Sequence, residues 1–254
     1  MRLFDTHCHF ESDDREAIAT ALRRAKAAGV EALMAVGGSS ELNRNAVLAV
    51  SIAAESGPDM PKVLLSLGYD RDQCEAASLP SVRESFDSPI AAVGEIGLDY
   101  HYSPETRKSQ LRLFAAQLEE AKTLDKPVVI HTREADDDTL ALLREIPSRG
   151  IIHCFTGSPA FAAKLLELGF MISFSGIATF KSAENVRAAV AVVPDDRILI
   201  ETDAPFLAPE PMRGNRNEPA FVAYTCRFLA GFRGIAEDDF AELTFANARR
   251  ALGC

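Results

Sequence analysis

Residues 4–10 read Phe4-Asp5-Thr6-His7-Cys8-His9-Phe10, directly after the first apolar residues of the chain. The stretch is typical of the end of a strand, and residues two apart on a strand point the same way, so Asp5, His7 and His9 are predicted on one face. Two imidazoles side by side could hold one metal ion, although a pair of ordinary surface or core histidines is equally compatible with this stretch alone. In a doubly wound nucleotide-binding fold, a glycine-rich phosphate loop usually follows the first strand. Histidines in that position favour another α/β fold.

The charge balance limits the partners. The 254 residues include 27 Lys and Arg against 37 Asp and Glu, for a formal net charge of −10. This argues against a broad basic surface that would hold a long duplex by counterion release. Divalent ions in a carboxylate-lined cleft would reverse the local field, so a short, locally held anion stays possible. No run of about 18 apolar residues and no leader-like segment is present, so we predict a cytoplasmic protein without a membrane contact.

The cysteines do not suggest a disulfide framework. There are five of them, an odd number with irregular spacing, which fits free thiols in a reducing compartment. Cys8 and Cys154 each adjoin a candidate histidine. Strand alternation predicts that each thiol faces away from its neighbouring histidine and is buried for structural reasons.

Strand-like and helix-like patterns alternate along the whole chain. After the first strand, further strands are predicted at residues 31–38, 63–69, 90–94 (leading into 95–100), 127–131, 150–155, 170–175 and 197–203. Helices are predicted at residues 13–28, 41–56, 79–86, 104–125, 136–146, 159–168, 181–193, 220–231 and 237–252. Eight strand–helix units in a chain of this length predict a (β/α)8 TIM barrel with additional C-terminal helices, since that fold typically takes about 250 residues. We predict one domain over residues 1–254, with a doubly wound open sheet as the alternative.

In such barrels the chemistry lies at the carboxyl ends of the strands. Four of the five histidines fall at predicted strand ends, together with two acidic residues. The set is His7, His9, Glu95, His131, His153 and Asp203. Nitrogen and oxygen donors of this kind suit zinc, manganese, or magnesium with imidazole partners. We therefore predict a metal site rather than scattered structural histidines.

Five motifs carry a resemblance that spans nearly the whole chain. They are His7-Cys8-His9, Gly94-Glu95-Ile96-Gly97-Leu98-Asp99-Tyr100, Ile130-His131-Thr132-Arg133, His153-Cys154-Phe155-Thr156-Gly157 and Glu201-Thr202-Asp203-Ala204-Pro205. Together they resemble the successive motifs of the TatD family. That resemblance implies a (β/α)8 barrel among the amidohydrolase-like metal-dependent hydrolases, a family that includes Mg- or Mn-dependent deoxyribonucleases.

The resemblance also implies the ligand sets. His7, His9 and Asp203 would hold one divalent ion, His131 and His153 a second, and Glu95 would bridge them, the ions being Mg, Mn or Zn. Every ligand position is filled, which argues against a barrel kept only as a scaffold.

Further roles are predicted for carboxylates near these residues. Asp203 is the candidate to accept the proton of the attacking water, unless it is only a ligand. Glu201 precedes it by two residues and needs a buried partner, for which a hydrogen bond to a ligating imidazole is the best candidate. Asp5 is predicted in the same relation beneath His7.

Basic residues near the strand ends could hold phosphate. Arg133 follows His131 with strand spacing and is predicted to enter the cleft; its rival role is a surface ion pair with Glu134 or Asp136. Arg213 is the second predicted phosphate-binding residue. Arg216 and Lys181 are more readily explained as solvated charges. His101 could be a surface residue or a substrate contact.

We therefore expect a deoxyribonuclease that cleaves phosphodiester bonds from an end, in the 3′–5′ direction, with a water activated by two metal ions. DNA ends or short single strands are the expected substrate, because an acidic barrel with one deep mouth suits them better than long duplex. No obligate protein partner is inferred. The alternatives are hydrolysis of a small-molecule amide or ester, or of aminoacylated RNA.

Overall fold

The computed structural model describes residues 1–76 and 89–254. Eight parallel strands lie side by side in chain order. They are β1 Leu3–Cys8, β2 Val30–Gly38, β3 Lys62–Tyr69, β4 Ala92–Asp99, β5 Val128–Arg133, β6 Gly150–Ile152, β7 Met171–Phe174 and β8 Ile198–Ile200. The end of β8 returns to β1, where the Asp203 N–H donates to the His7 carbonyl at 2.9 Å and the His9 N–H to the Ala204 carbonyl at 2.7 Å. The predicted TIM barrel is confirmed, and the open sheet is excluded.

Helices surround the barrel in the described ranges. They are α1 Arg15–Ala27, α2 Ser40–Ser56, α3 Arg107–Thr123, α4 Asp136–Glu145, α5 Pro159–Glu167, α6 Glu184–Val192, α7 Val222–Arg233 and α8 Glu237–Leu252. Side-chain caps define some of the starts: Asp14 accepts from two backbone N–H groups of the first turn of α1, and Ser39 accepts from the Leu42 N–H of α2. The helix predicted at residues 79–86 lies outside the described residues. In the parts of the chain that are described, no helix has the length and apolarity needed to cross a membrane.

Two apolar layers support the site. The larger packs the outer faces of the strands against the helices. The smaller contains side chains from the opposite strand faces together with Phe245 of α8, whose ring centroid lies 5.8 Å from that of Phe4 in β1. Because both faces of a parallel barrel are buried, the strands are apolar on both sides except where polar groups gather at their carboxyl ends.

Near the candidate site, the observed strand boundaries differ from the predicted ones. The strand predicted at 90–94 is wrong in extent, because β4 begins at Ala92 and continues through Glu95 to Asp99. Strands β6 and β8 stop after three residues, at Ile152 and Ile200. His153 and Asp203 therefore lie on the loops just beyond the strands and not within them.

Candidate metal centre

His7 and His9 come together at the end of β1. Their Nε2 atoms are 3.0 Å apart. His9 Nδ1 lies 2.9 Å from the Val36 carbonyl, which can only accept, so this nitrogen carries the proton and Nε2 is left with a lone pair. The neighbouring β2 thus fixes the ring form in which His9 could ligate a metal.

Glu95 lies between the two pairs of histidines. Its Oε2 is 3.5 Å from His7 Nε2 and 3.4 Å from His9 Nε2. Its Oε1 is 3.6 Å from His131 Nδ1 and 3.4 Å from His153 Nε2. Each carboxylate oxygen therefore faces a different pair of imidazoles.

Asp203 joins the cluster from the loop after β8. Its Oδ1 is 3.8 Å from the Nε2 atoms of both His7 and His9. Its backbone has a φ of 57°, in the left-handed region that non-glycine residues seldom adopt. The surrounding hydrogen bonds hold this conformation, which turns the carboxylate toward the histidines.

A carboxylate lies beside the ring nitrogen that points away from the cluster in each of the other two histidines, and the contact to His131 has hydrogen-bond geometry. His131 Nε2 lies 3.1 Å from Asp99 Oδ2, and His153 Nδ1 lies 3.3 Å from Glu201 Oε1. Burial opposes ionisation of Asp99, but hydrogen bonds from His131 and the Tyr102 N–H lower its pKa to about 2, so it accepts as a carboxylate. Glu201 lies beside a candidate ligand imidazole as expected, although His153 Nδ1 makes no hydrogen bond in the described part of the chain. Asp99 was not predicted, although it ends the strand that carries Glu95 and the strand-end argument could have included it.

The prediction for Asp5 is wrong for the imidazole of His7, although Asp5 Oδ1 accepts from the His7 backbone N–H at 3.3 Å. Its carboxylate accepts from Thr202, at 2.8 Å from the backbone nitrogen and 2.6 Å from Oγ1, and so ties β1 to the end of β8. The outer nitrogen of His7, Nδ1, has no hydrogen-bond partner among the described residues. The pairing of β1 with β2 shifts register between Asp5 and Cys8, so simple alternation does not carry from Asp5 to His7.

The prediction for Cys154 is also wrong, whereas that for Cys8 is confirmed. All five cysteines are free, and Cys8 is buried with its Sγ 3.4 Å from the Met34 carbonyl. Cys154 lies beyond β6 with a φ of 44°, so strand alternation does not apply to it. Its Sγ is 3.2 Å from Ser175 Oγ, and its N–H donates to Glu201 Oε1 at 2.6 Å. Burial and the charges of Asp203 and Glu201 hold its pKa well above the ordinary value, so the thiol stays protonated.

One partly buried cation near the cluster was not predicted from the sequence. Arg71 follows β3 and places Nη1 3.7 Å from Glu95 Oε1. Its Nε is buried without a hydrogen-bond partner in the described part of the chain. The adjacent Asp70 has a pKa raised to about 7 by burial and by the charge of Glu95. The sequence signal was available, since both residues directly follow a predicted strand.

The other basic candidates are spread around the mouth. The guanidinium of Arg133 lies 4.9 Å above the ring of Tyr102, and that of Arg213 lies 4.0 Å above the ring of Phe180. Within the described ranges neither forms an ion pair, and Glu134, the proposed rival partner of Arg133, contacts His101 instead at 2.7 Å.

The remaining two basic candidates differ. Arg216 pairs with Glu11 at 2.9 Å, as expected for a solvated surface charge. Lys181 is exposed.

The donor set fits a metal centre. Three groups of donor atoms could each hold an ion, namely His7, His9 and Glu95; His7, His153 and Asp203; and Glu95, His131 and His153. Burial and the nearby His153 lower the pKa of His7 to about 3, so its imidazole is neutral, the form that ligates metals. Burial alone would raise the pKa of Glu95, but His153, His7 and His9 hold it well below its usual value, so Glu95 is a carboxylate. Imidazole nitrogens and carboxylate oxygens in one cluster suit zinc, manganese or magnesium.

Comparison with known proteins agrees with this chemistry. The family model described as TatD related DNase matches residues 4–253. A relative in Escherichia coli K12, the uncharacterized metal-dependent hydrolase YcfH, is 38% identical and aligns over 98% of this chain and 95% of its own. A Bacillus subtilis relative, the uncharacterized metal-dependent hydrolase YabD, is 34% identical over 98% of each chain. The crystal structure of YjjV, a TatD homolog from Escherichia coli K12, superposes with a TM-score of 0.86 at 28% identity, covering 100% of this chain and 98% of the other.

Proposed function

The chain belongs to the TatD-related DNase family of metal-dependent hydrolases, and we propose that it is a two-metal phosphodiesterase that removes nucleotides from DNA ends in the 3′–5′ direction. The main support for this proposal is the position of Glu95. Each of its two carboxylate oxygens faces a separate pair of imidazoles, with oxygen–nitrogen distances of 3.4–3.6 Å. A carboxylate placed in this way suits a bridge between two ions.

The ligands divide accordingly. His7, His9 and Asp203 would hold one ion, His131 and His153 the other, and Glu95 both. Ions held by these residues would supply an activated water and polarise the scissile phosphodiester. The chain's own part is to orient the imidazoles, which it does through Val36, Asp99 and Glu201.

Asp203 is proposed to accept the proton from the attacking water. Its side chain is 13% exposed, whereas those of Glu95 and Glu201 are 6% and 0% exposed. Of these three carboxylates, Asp203 is the one that best reaches a water in the cleft.

The partly buried cation Arg71 favours a phosphodiester substrate over a neutral amide or ester. Arg71 places Nη1 3.7 Å from Glu95 Oε1, and its buried Nε makes no hydrogen bond in the described part of the chain, with Asp72 Oδ1 at 3.4 Å. Such a group is costly to bury unless a ligand accepts from it, and planar guanidinium donors match phosphate oxygens. Arg133, whose guanidinium has no ion pair in the described ranges, is proposed as a second phosphate contact.

A substrate panel tests the proposal. The chelator-treated protein would be reloaded with Mg, Mn or Zn and offered single-stranded oligonucleotides labelled at either end, blunt duplex, closed circular DNA, an aminoacylated RNA and simple amides and esters. We expect progressive loss of 3′ nucleotides from single strands, none from circles, and a requirement for added metal. Rapid turnover of the amide or the aminoacyl ester without DNA cleavage would overturn the proposal in favour of that alternative.

A further inference from the structure

Two aromatic side chains at the barrel mouth are largely exposed. Tyr102, in the loop after β4, is 64% exposed, and Phe206, in the loop after β8, is 52% exposed. Rings so exposed lose the benefit of burial in the free protein. They lie on the loops that carry specificity in this fold.

Phe206 is attached to the His7 and His9 side of the centre. Its ring centroid is 6.5 Å from that of His9, in an edge-to-face arrangement. Its N–H donates to the Asp203 carbonyl at 2.9 Å, and its own carbonyl accepts from Asn217 Nδ2 at 2.5 Å. The ring is therefore held on a fixed loop beside this half of the site.

Tyr102 is attached to the other side. Its N–H donates to Asp99 Oδ1 at 3.1 Å, and the second oxygen of Asp99 contacts His131. Arg133 lies 4.9 Å above its ring, and His101 meets it edge-on with centroids 4.9 Å apart. These contacts position the ring while most of it stays open to solvent.

We propose that Phe206 and Tyr102 are stacking platforms for the two nucleobases on either side of the scissile phosphate. This rests on the proposed phosphodiesterase function. A phosphate held by two ions has one nucleoside on each side, and each half of the centre carries one fixed, exposed ring. Unpaired bases stack readily on such rings, whereas duplex bases are stacked on one another. A small amide or ester would use neither ring in this way.

The experiment compares Phe206→Ala and Tyr102→Ala with Phe232→Ala, which removes a ring that is 44% exposed near the carboxyl end of α7. Substrates are a single-stranded oligonucleotide and the same strand with abasic sites at its terminal positions, under Mn. Each mouth variant should raise KM for the normal strand about tenfold, the size of one lost base–aromatic stack, and leave KM for the abasic strand unchanged. Metal content should not change, and Phe206→Tyr and Tyr102→Phe should restore KM.

A spectroscopic readout tests stacking directly. An oligonucleotide with 2-aminopurine at its last two positions should lose fluorescence on binding the wild type in Ca-containing buffer, and lose less on binding each Ala variant. If the wild type cleaves DNA but the mouth variants match Phe232→Ala, or impair both strands equally, the stacking proposal is overturned while the phosphodiesterase stands. If the wild type cleaves no nucleic acid, the proposed function fails and this inference fails with it.

Discussion

The two pairs of histidines at the barrel mouth are oriented by different means. In the first half, His7 and His9, the one outer hydrogen bond seen in the described ranges is donated by His9 Nδ1 to the backbone carbonyl of Val36. In the second half, His131 and His153, both outer nitrogens face buried carboxylates, Asp99 and Glu201. The first half has its own carboxylate, Asp203, beside the inner nitrogens.

This difference between the two pairs of histidines implies that each half would bind its proposed ion in a different way. Asp203 supplies charge directly to the first half. The second half has imidazoles made more basic by carboxylates behind them, which strengthens them as ligands. We expect up to two ions per chain, and we expect the ion nearer the solvent to be held more weakly. The affinity of the second half for its ion should depend on Asp99 and Glu201.

Removing the shared carboxylate should have the largest effect. Glu95→Ala is expected to lose both ions and at least about a thousandfold in turnover, because both halves share this residue. Elemental analysis after saturation with Mn and dialysis measures the ions. The control is Glu242→Ala, an exposed carboxylate paired with Arg2. Wild-type metal content in Glu95→Ala would contradict the bridging role.

Asp203→Asn separates binding from proton transfer in the first half. Asn offers an oxygen but takes no proton, so the variant should keep much of its metal and lose turnover by about a hundredfold or more. Metal content and kcat under saturating Mn test this. If kcat stays near wild type, Asp203 is only a ligand.

Asp99→Asn should affect the second half alone. Loss of the carboxylate behind His131 is expected to weaken one ion about 10- to 100-fold and leave the other unchanged. A titration of Mn by calorimetry would show one weakened site and one intact site. Glu242→Gln, at the exposed carboxylate paired with Arg2, is the control. Equal weakening of both sites would show that the halves are not independent.

A pH effect is expected in metal-free protein. Burial and the charge of Glu95 raise the pKa of Asp70 to about 7 in the folded chain, above its unfolded value of about 4. The folded state therefore keeps a proton that the unfolded state loses, and this stabilisation disappears as the pH rises through about 7. The free energy of unfolding in urea would be measured at pH 5 and at pH 8. The difference between the two values should be smaller in Asp70→Asn than in the wild type, by about 2 kcal/mol or less. An unchanged difference would remove Asp70 as its source.

Arg133→Lys should have the smallest effect. The change keeps the charge but loses the planar donors, so metal content should stay the same while phosphodiester turnover falls about tenfold. The control is Arg144→Lys, an exposed position in the last turn of α4. Cleavage of oligonucleotides at the wild-type rate would show that Arg133 only supports Tyr102.

The local pattern was sufficient for the barrel and for six of the residues that meet at its mouth. Strand–helix alternation predicted the order of the elements, and carboxyl ends of parallel strands meet on one side of a barrel, so His7, His9, Glu95, His131, His153 and Asp203 could be placed together. The single domain over residues 1–254, the cytoplasmic location and the DNA substrate stay predictions.

Contacts across neighbouring strands needed the tertiary structure. Asp99 reaches His131 because β4 and β5 pair in one register, in which Asp99 lies opposite Arg133 and Gly97 opposite His131. Arg71 reaches Glu95 only because β3 lies beside β4. Hydrophobic periodicity reports which face of an element is buried, but the distance between side chains on two strands depends on register.

The errors have the same origin. Asp5 turned to Thr202 where the register of β1 shifts, and Cys154 left the strand pattern where β6 stopped at Ile152. Strand ends and register shifts depend on the hydrogen bonds that neighbouring strands supply, which no single segment encodes. The sequence by itself therefore determined which residue types gather at the mouth, and the packing of strand against strand decided which atoms touch.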